Sequence, residues 1–474
     1  MTTIDIRSMM DATGVVFGTS GARGLVSQMS DEVSAAYTLA FLQALDLNRP
    51  GQRIALGMDL RPSSPAIARA CAAAIVQAGG IVDFCGVLPT PALALHGLMQ
   101  GVPAIMVTGS HIPFDRNGIK FYRADGEISK DDEAAISAAV VEVGALEGVL
   151  PAIDSQALQA YRHRFTDVFD AQLLSGWRIG VYEHSSAARD VLKTILTDLG
   201  AEVIGLARTD TFVPIDTEAV GEDDRQRGRQ WASEYRLDAI VSTDGDGDRP
   251  LIGDEQGEWL RGDIVGLLSA AFLGADTVVT PVSCNTAIEV CGLFKQVLRT
   301  RIGSPYVIAG MEAVDDGHAV AGFEANGGFL AGQGLTVNGQ VLRALPTRDS
   351  VLPALAVMAL ARRRGCKLSA LTLDLPARFT ASDRLQNFAS ERSQALLTAL
   401  RAEQGSGLSW NDDLGDIVQR DDTDGLRLTF ARGDIVHLRP SGNAPELRCY
   451  AESTSAERAH GLVSRVLHAI ERQV

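Results

Sequence analysis

The chain has 474 residues, 46% of them hydrophobic and 22% charged, with a formal net charge of -16. That length divides into about three domains of typical size, and the composition is that of a soluble globular protein. The acidic balance and the lack of a long basic block argue against nucleic-acid binding, and an anionic ligand must be met by local Arg, Lys or a metal. The first third alternates strand and helix patterns. Arg53–Met58 reads as a strand, Ser64 as an N-cap with Pro65 at the first helical position, and Gly79-Gly80 as the stop. Ile81–Phe84 is the next strand, Leu88-Pro89-Thr90-Pro91 opens a helix, and Ala104–Val107 is a short buried strand.

The pattern restarts at Arg178–Tyr182, with Ser185-Ser186 capping a helix through Leu199 and strands at Glu202–Leu206 and Leu237–Val241. It restarts again at Thr277–Val282, with a helix from about Asn285, a strand around Val297–Arg301 and another at Ala319–Phe323. Arg362-Arg363-Arg364 closes a helix over Val351–Ala361 and complements its dipole. The last hundred residues differ. Strands at Leu414–Val418, Gly425–Phe430, Ile435–Arg439 and Leu447–Glu452 precede a helix with a capping box of Thr454 and Glu457. The expectation is three similar α/β domains with mixed sheets plus a smaller C-terminal α+β domain, divided as 1–155, 156–257, 258–370 and 371–474.

The six cysteines lie in apolar runs without a CxxC pair and read as reduced packing residues. The start, MTTIDIRSMM, lacks a basic region followed by an apolar core, and no apolar run approaches the roughly 20 residues that span a bilayer. A cytoplasmic protein without a membrane or nucleic-acid partner is expected, as a monomer or weak homo-oligomer.

Four loops carry chemistry. In Thr108-Gly109-Ser110-His111, Ser110 follows a buried strand on what reads as a flexible, exposed turn, suited to carrying a phosphoryl group. His111 and Lys120 are candidates for proton transfer or phosphate neutralisation; the plain alternative is a strand-to-turn connection. In Asp244-Gly245-Asp246-Gly247-Asp248-Arg249, glycines let three carboxylates face one point, and hard oxygens suit Mg²⁺ or Ca²⁺. An EF-hand is rejected, because its sixth position is Arg249 rather than Gly and the preceding segment reads as strand. In Gly322–Gly328, Glu324 and Asn326 lie two apart, a carboxylate and an amide that suit sugar hydroxyls; taken alone, the segment reads more readily as a simple turn. Arg439-Pro440-Ser441-Gly442-Asn443 combines an Arg fork with small residues whose N–H groups can close on an anion; a hairpin turn is the alternative. The opening Phe17–Gly24 is neither a Walker A loop nor a GxGxxG fingerprint, so ATP and NAD have no support.

Together these loops, in this order, resemble the α-D-phosphohexomutase family, and within it the bacterial phosphomannomutases and phosphoglucomutases. Gly57–Ser64 and Asp424-Gly425-Leu426-Arg427 also resemble family segments. The resemblance implies an isomerase of carbohydrate metabolism with one active-site loop per domain. Ser110 would be the phosphorylated residue, and Asp244, Asp246 and Asp248 would hold Mg²⁺ with a phosphoserine oxygen. Glu324 and Asn326 would read sugar hydroxyls, and Arg439, Ser441, Gly442 and Asn443 would grip the substrate phosphate. Arg23, His111, Lys120 and Arg249 would line the reaction centre. A hexose 1,6-bisphosphate would be intermediate and activator. The expected substrates are mannose 1-phosphate and mannose 6-phosphate, with glucose phosphates possible. A glucosamine-phosphate or glucose-preferring mutase is the near alternative, and a non-catalytic sugar-phosphate-binding protein the distant one. The sequence departs from the family at Ile112, where Asn is usual. It departs also at Glu183–Ser186, at Asn443-Ala444, and at Asn326-Gly327-Gly328, which replaces Ser-Gly-His and removes a histidine from the sugar loop.

Overall fold

A computed structural model describes residues 1–18, 21–402, 414–441 and 445–473. The alternating patterns become sheets, each drawn from a contiguous stretch of chain. The first has six strands in the order Val16–Phe17, Ala22–Leu25, Arg116–Tyr122, Ala104–Val107, Arg53–Met58, Ile81–Val87. The second runs Glu202–Leu206, Arg178–Tyr182, Ala239–Thr243, Pro250–Gly253. The third runs Gln296–Thr300, Thr277–Pro281, Val320–Phe323, Phe329–Ala331, Leu345–Asp349. The fourth is antiparallel throughout: Phe379–Leu385, Leu447–Ser453, Ile435–Pro440, Leu426–Phe430, Ile417–Asp421. Helices Ser390–Ala402 and Ala456–Gln473 accompany it.

The first three sheets share a device that the sequence shows only as a repeated order of elements. Parallel strands, joined by helices, meet an antiparallel neighbour at one place, and the hairpin there is the site loop. Val107 pairs with Ile119 across the Ser110 loop, Thr243 with Pro250 across the aspartate loop, and Phe323 with Phe329 across the Glu324 loop. The strands entering these loops are wholly buried, as near-continuous apolar runs require. The loops therefore lie at strand C-terminal ends, where open α/β sheets bind ligands.

Several local expectations shift. Ser64 is the first helical residue of Ser64–Gln77 rather than its cap, because its hydroxyl donates to Asp59 instead (2.6 Å). The last helix is capped by Ser455, which accepts from the Arg458 N–H at 3.2 Å, one residue beyond the expected Thr454. The helix from Asn285 is only Ala287–Val290. Ser186 accepts from the Ala188 N–H (3.0 Å) in a turn ahead of the helix Arg189–Asp198. Cys71, Cys85, Cys284 and Cys449 are buried, and all six thiols are free. Among the described residues, no helix is long and apolar enough to cross a membrane.

Candidate active site

Ser110 sits at φ 54°, a region uncommon for a residue with a Cβ. Its N–H donates to Thr108 Oγ1 (2.8 Å) and its carbonyl accepts from Arg61 Nη2 (2.9 Å). The Arg61 guanidinium also donates to the carbonyls of Ile112, Pro113 and Arg116 at 2.6, 2.8 and 2.9 Å. Asp59 lies 3.3 Å from Arg61 Nε and accepts from Ser64 and Thr108. This buried pair shapes the serine loop. Its signal in the sequence was an Asp and an Arg directly after a buried strand.

The exposed turn expected for Ser110 is not found: the residue is 0% exposed. The aspartate loop closes over it, and Ser110 Oγ donates to Asp244 Oδ2 at 2.7 Å. Gly245 permits this approach, since a Cβ there would stand 2.7 Å from the Ser110 carbonyl oxygen. His111 Nδ1 lies 3.4 Å from Ser110 Oγ. Arg249, followed by burial and Arg23, holds the His111 imidazole well below its ordinary value, so the ring is neutral at neutral pH.

Asp244, Asp246 and Asp248 are buried and bring one carboxylate oxygen each within 4.8 Å of one another. Cations from other elements surround them. Lys120 Nζ stands 2.7 Å from Asp246 and 3.0 Å from Asp248, and Thr90 Oγ1 donates to Asp246 (2.7 Å). Arg348, which the sequence analysis did not single out, reaches Asp248 Oδ2 with Nη2 at 2.7 Å and Glu324 Oε2 with Nη1 at 3.2 Å. Burial and the neighbouring Asp246 and Asp248 push the Asp244 carboxyl up. Burial opposes charge on Asp248, but Arg348, Lys120 and Arg249 hold it well below the carboxylate range. Burial likewise opposes the Lys120 ammonium, yet Asp246 and Asp248 keep it above its usual value. Among the described residues, Asp246 Oδ1 and Asp248 Oδ1 are buried without a hydrogen-bond partner. Hard oxygens left unsatisfied at one point fit a divalent cation such as Mg²⁺. The cluster of Asp83, Cys85 and His96 is different, since Arg53 and His96 both take Asp83 Oδ2 (2.6 and 3.0 Å).

Arg23 and Arg249 complete the cationic rim. Burial, then Arg249, lowers Arg23 to about 10. Arg249 Nε lies 3.7 Å from Asp248 and 3.9 Å from Asp244. In the third loop Glu324 is 3% exposed, while Asn326 turns its Oδ1 onto the Gly328 N–H (2.9 Å) and accepts at its carbonyl from Thr217 (2.7 Å). Arg439 and Ser441 are anchored elsewhere. Arg439 Nε lies 2.9 Å from Asp424, and the Ser441 N–H donates to the Glu446 carbonyl (2.8 Å). Asp424 also accepts from the Ile302 N–H (2.9 Å), tying this loop to the third stretch of chain. Gly442 and Asn443 lie outside the described residues.

His184, fully buried beside the aspartate loop, donates Nε2–H to the Thr243 carbonyl (2.9 Å), and burial lowers it from 6.5 to about 4. Burial brings His437 to about 4 as well. The unfolded chain protonates these rings near 6.5 while the folded one does not. Their contribution is therefore complete above about pH 6.5 and is lost as pH falls toward 4, at about 1.4 kcal/mol per ring per unit. Calorimetric Tm should fall across that window, and less steeply for His184→Gln. Equal slopes would mean that His184 does not stay neutral in the fold.

Residues 14–145 match the phosphoglucomutase/phosphomannomutase α/β/α domain I, residues 261–379 domain III and residues 385–469 the C-terminal domain of the same family. The chain belongs to the phosphoglucomutase/phosphomannomutase family. It is 50% identical over 470 residues to a phosphomannomutase of Salmonella muenchen, covering 98% of each chain. With a phosphomannomutase of Sinorhizobium fredii it shares 44% identity over 96% of its own length and 98% of the relative's. A phosphoglucomutase/phosphomannomutase family protein of Burkholderia thailandensis has the same fold (TM-score 0.75, 18% identity), with 96% of this chain and 97% of that one covered. As a member of this family the protein is a phosphohexomutase, an isomerase.

Proposed function

We propose that the protein interconverts mannose 1-phosphate and mannose 6-phosphate, with glucose phosphates as second substrates, through phospho-Ser110. The observation that carries the reading is the Ser110 hydroxyl, buried and 2.7 Å from Asp244 at the mouth of three carboxylates. The two relatives above, both phosphomannomutases, support the sugar.

In the proposed reaction a sugar hydroxyl attacks the phosphorus of phospho-Ser110 in line. The P–Oγ bond breaks as the new P–O bond forms, and the hydroxyl proton leaves to a base. His111 is the better acceptor, being neutral and 3.4 Å from Ser110 Oγ, while Lys120 is already charged between two aspartates. The hexose 1,6-bisphosphate turns over and returns its other phosphate to Ser110. Mg²⁺ held by Asp244, Asp246 and Asp248 would offset the charge of phosphoserine against that of the substrate. Arg23 and Arg249 neutralise the phosphate in transit, Glu324 and Asn326 read sugar hydroxyls, and Arg439, Ser441, Gly442 and Asn443 hold the distal phosphate. The division into units 1–155, 156–257, 258–370 and 371–474 belongs to this reading, each supplying one loop. So does a cytoplasmic location, where charged sugar phosphates are retained.

A coupled assay with mannose 1-phosphate and glucose 1-phosphate, Mg²⁺ and a trace of glucose 1,6-bisphosphate tests it. Turnover on mannose 1-phosphate that EDTA stops is expected. Turnover on glucose 1-phosphate alone would move the assignment to a glucose mutase. No turnover on either sugar, with Ser110 never phosphorylated even after priming by glucose 1,6-bisphosphate, would favour a sugar-phosphate binder built on this fold.

A further inference from the structure

We propose that Arg348 is a positioning residue that joins the metal loop to the sugar loop and sets where Glu324 meets the sugar. The inference rests on the reading of Glu324 as sugar-facing. Arg348 lies on the strand Leu345–Asp349, which pairs with the strand leaving the sugar loop. Its side chain is 4% exposed. Nε and Nη2 reach Asp248 Oδ2 at 3.1 and 2.7 Å, and Nη1 reaches Glu324 Oε2 at 3.2 Å. One planar fork thus spans two loops from two sheets with three N–H donors in a fixed geometry, which a flexible ammonium does not reproduce. Among the described residues, Glu324 Oε1 accepts no hydrogen bond, which leaves that oxygen for a ligand.

The sugar loop packs its Gly328 against the stem of this arginine. A Cβ on Gly328 would stand 2.3 Å from Arg348 Cδ and 2.8 Å from Cγ. Gly328 is not among the positive-φ residues, so its backbone does not demand glycine; the space does. The same contact explains the missing histidine of this loop, since any side chain at 328 collides with Arg348. The aliphatic stem of a buried arginine from the neighbouring strand fills the space that a Cβ at 328 would take.

Binding of mannose 1-phosphate to the full chain with saturating Mg²⁺, measured by calorimetry, tests the proposal, with direct Mg²⁺ titration and Tm in parallel. Arg348→Met should weaken the sugar phosphate about tenfold, the scale of one charged hydrogen bond, while Mg²⁺ affinity moves less than about threefold. Arg348→Lys should not rescue. Gly328→Ala, which keeps the guanidinium but displaces it, should reproduce the loss. Adding Gly328→Ala or Glu324→Gln to Arg348→Met should cost under about twofold more, because all act through one contact. Wild-type binding by Arg348→Met or Arg348→Lys, or losses that multiply in the doubles, would overturn the inference alone. A Glu324→Gln variant that binds like wild type, or a wild type that binds no hexose phosphate, would overturn the sugar-loop reading and this inference with it.

Discussion

Ser110→Ala should lower mutase turnover by about a thousandfold or more while the protein stays folded. The change removes the atom that carries the phosphoryl group in the proposed reaction, and no other hydroxyl in the cluster can replace it. Thr108 Oγ1 is committed to Asp59 and Thr90 Oγ1 to Asp246. The structural cost is separate and small. The variant loses the bond from Ser110 Oγ to Asp244, worth about 1–3 kcal/mol where a buried acceptor is left bare. That loss is moderated because burial and then the neighbouring carboxylates already push the Asp244 carboxyl up. The backbone at φ 54° is held by Arg61 and Thr108, which the substitution leaves in place. Tm should therefore fall by only a few degrees, at about 2–4 °C per kcal/mol for a domain of this size. Mass spectrometry of wild type incubated with glucose 1,6-bisphosphate should find the added phosphoryl group on Ser110 and none in the variant. Near-normal turnover by Ser110→Ala would end the covalent mechanism.

The site divides into what a linear reading reaches and what it does not. Ser110 and the three aspartates are legible because each loop states its chemistry within a few residues, and glycine spacing has few other uses there. Strands such as Arg53–Met58 and Ala104–Val107 coincide with their expected bounds because buried apolar runs end sharply. Ends and caps move by a residue or two where two hydroxyls compete, as at Ser63–Ser64 and Thr454–Ser455. Arg61 and Arg348 were missed for a different reason. Their partners lie 49 and 100 residues away for the Ser110 carbonyl and Asp248 respectively, and an Arg near a strand end reads as surface until the fold buries it. Thr90 likewise looked like a helix start, and it is one; it also holds Asp246 across 156 residues. The burial of Ser110 was illegible because the lid over it belongs to another sheet.

Replacing Asp246 should give the second large effect, and two variants separate its causes. Asp246 Oδ2 already accepts from Thr90 and Lys120, at 2.7 Å each, while Oδ1 is left without a partner among the described residues. Asp246→Ala removes both bonds and a metal oxygen together, leaving Lys120 with Asp248 alone. A loss of activity could then reflect a shifted lysine. Asp246→Asn keeps the shape and can still accept from Thr90, but it gives up the charge that draws in a divalent cation. Hard cations bind through charged oxygen, so the asparagine variant should lose about 10–100-fold in Mg²⁺ affinity by direct titration and a comparable factor in turnover. Asp246→Ala should lose both beyond measurement. In the metal-free state the asparagine variant should differ less from wild type in Tm than the alanine variant, because it keeps an acceptor for Thr90 and Lys120 whereas alanine leaves both buried donors short of a partner. An Asp246→Asn protein with an unchanged Mg²⁺ titration would take the aspartate loop out of the metal site. Lys120, Arg348 and Arg249 would then be its permanent counter-charges rather than groups that share those oxygens with a metal.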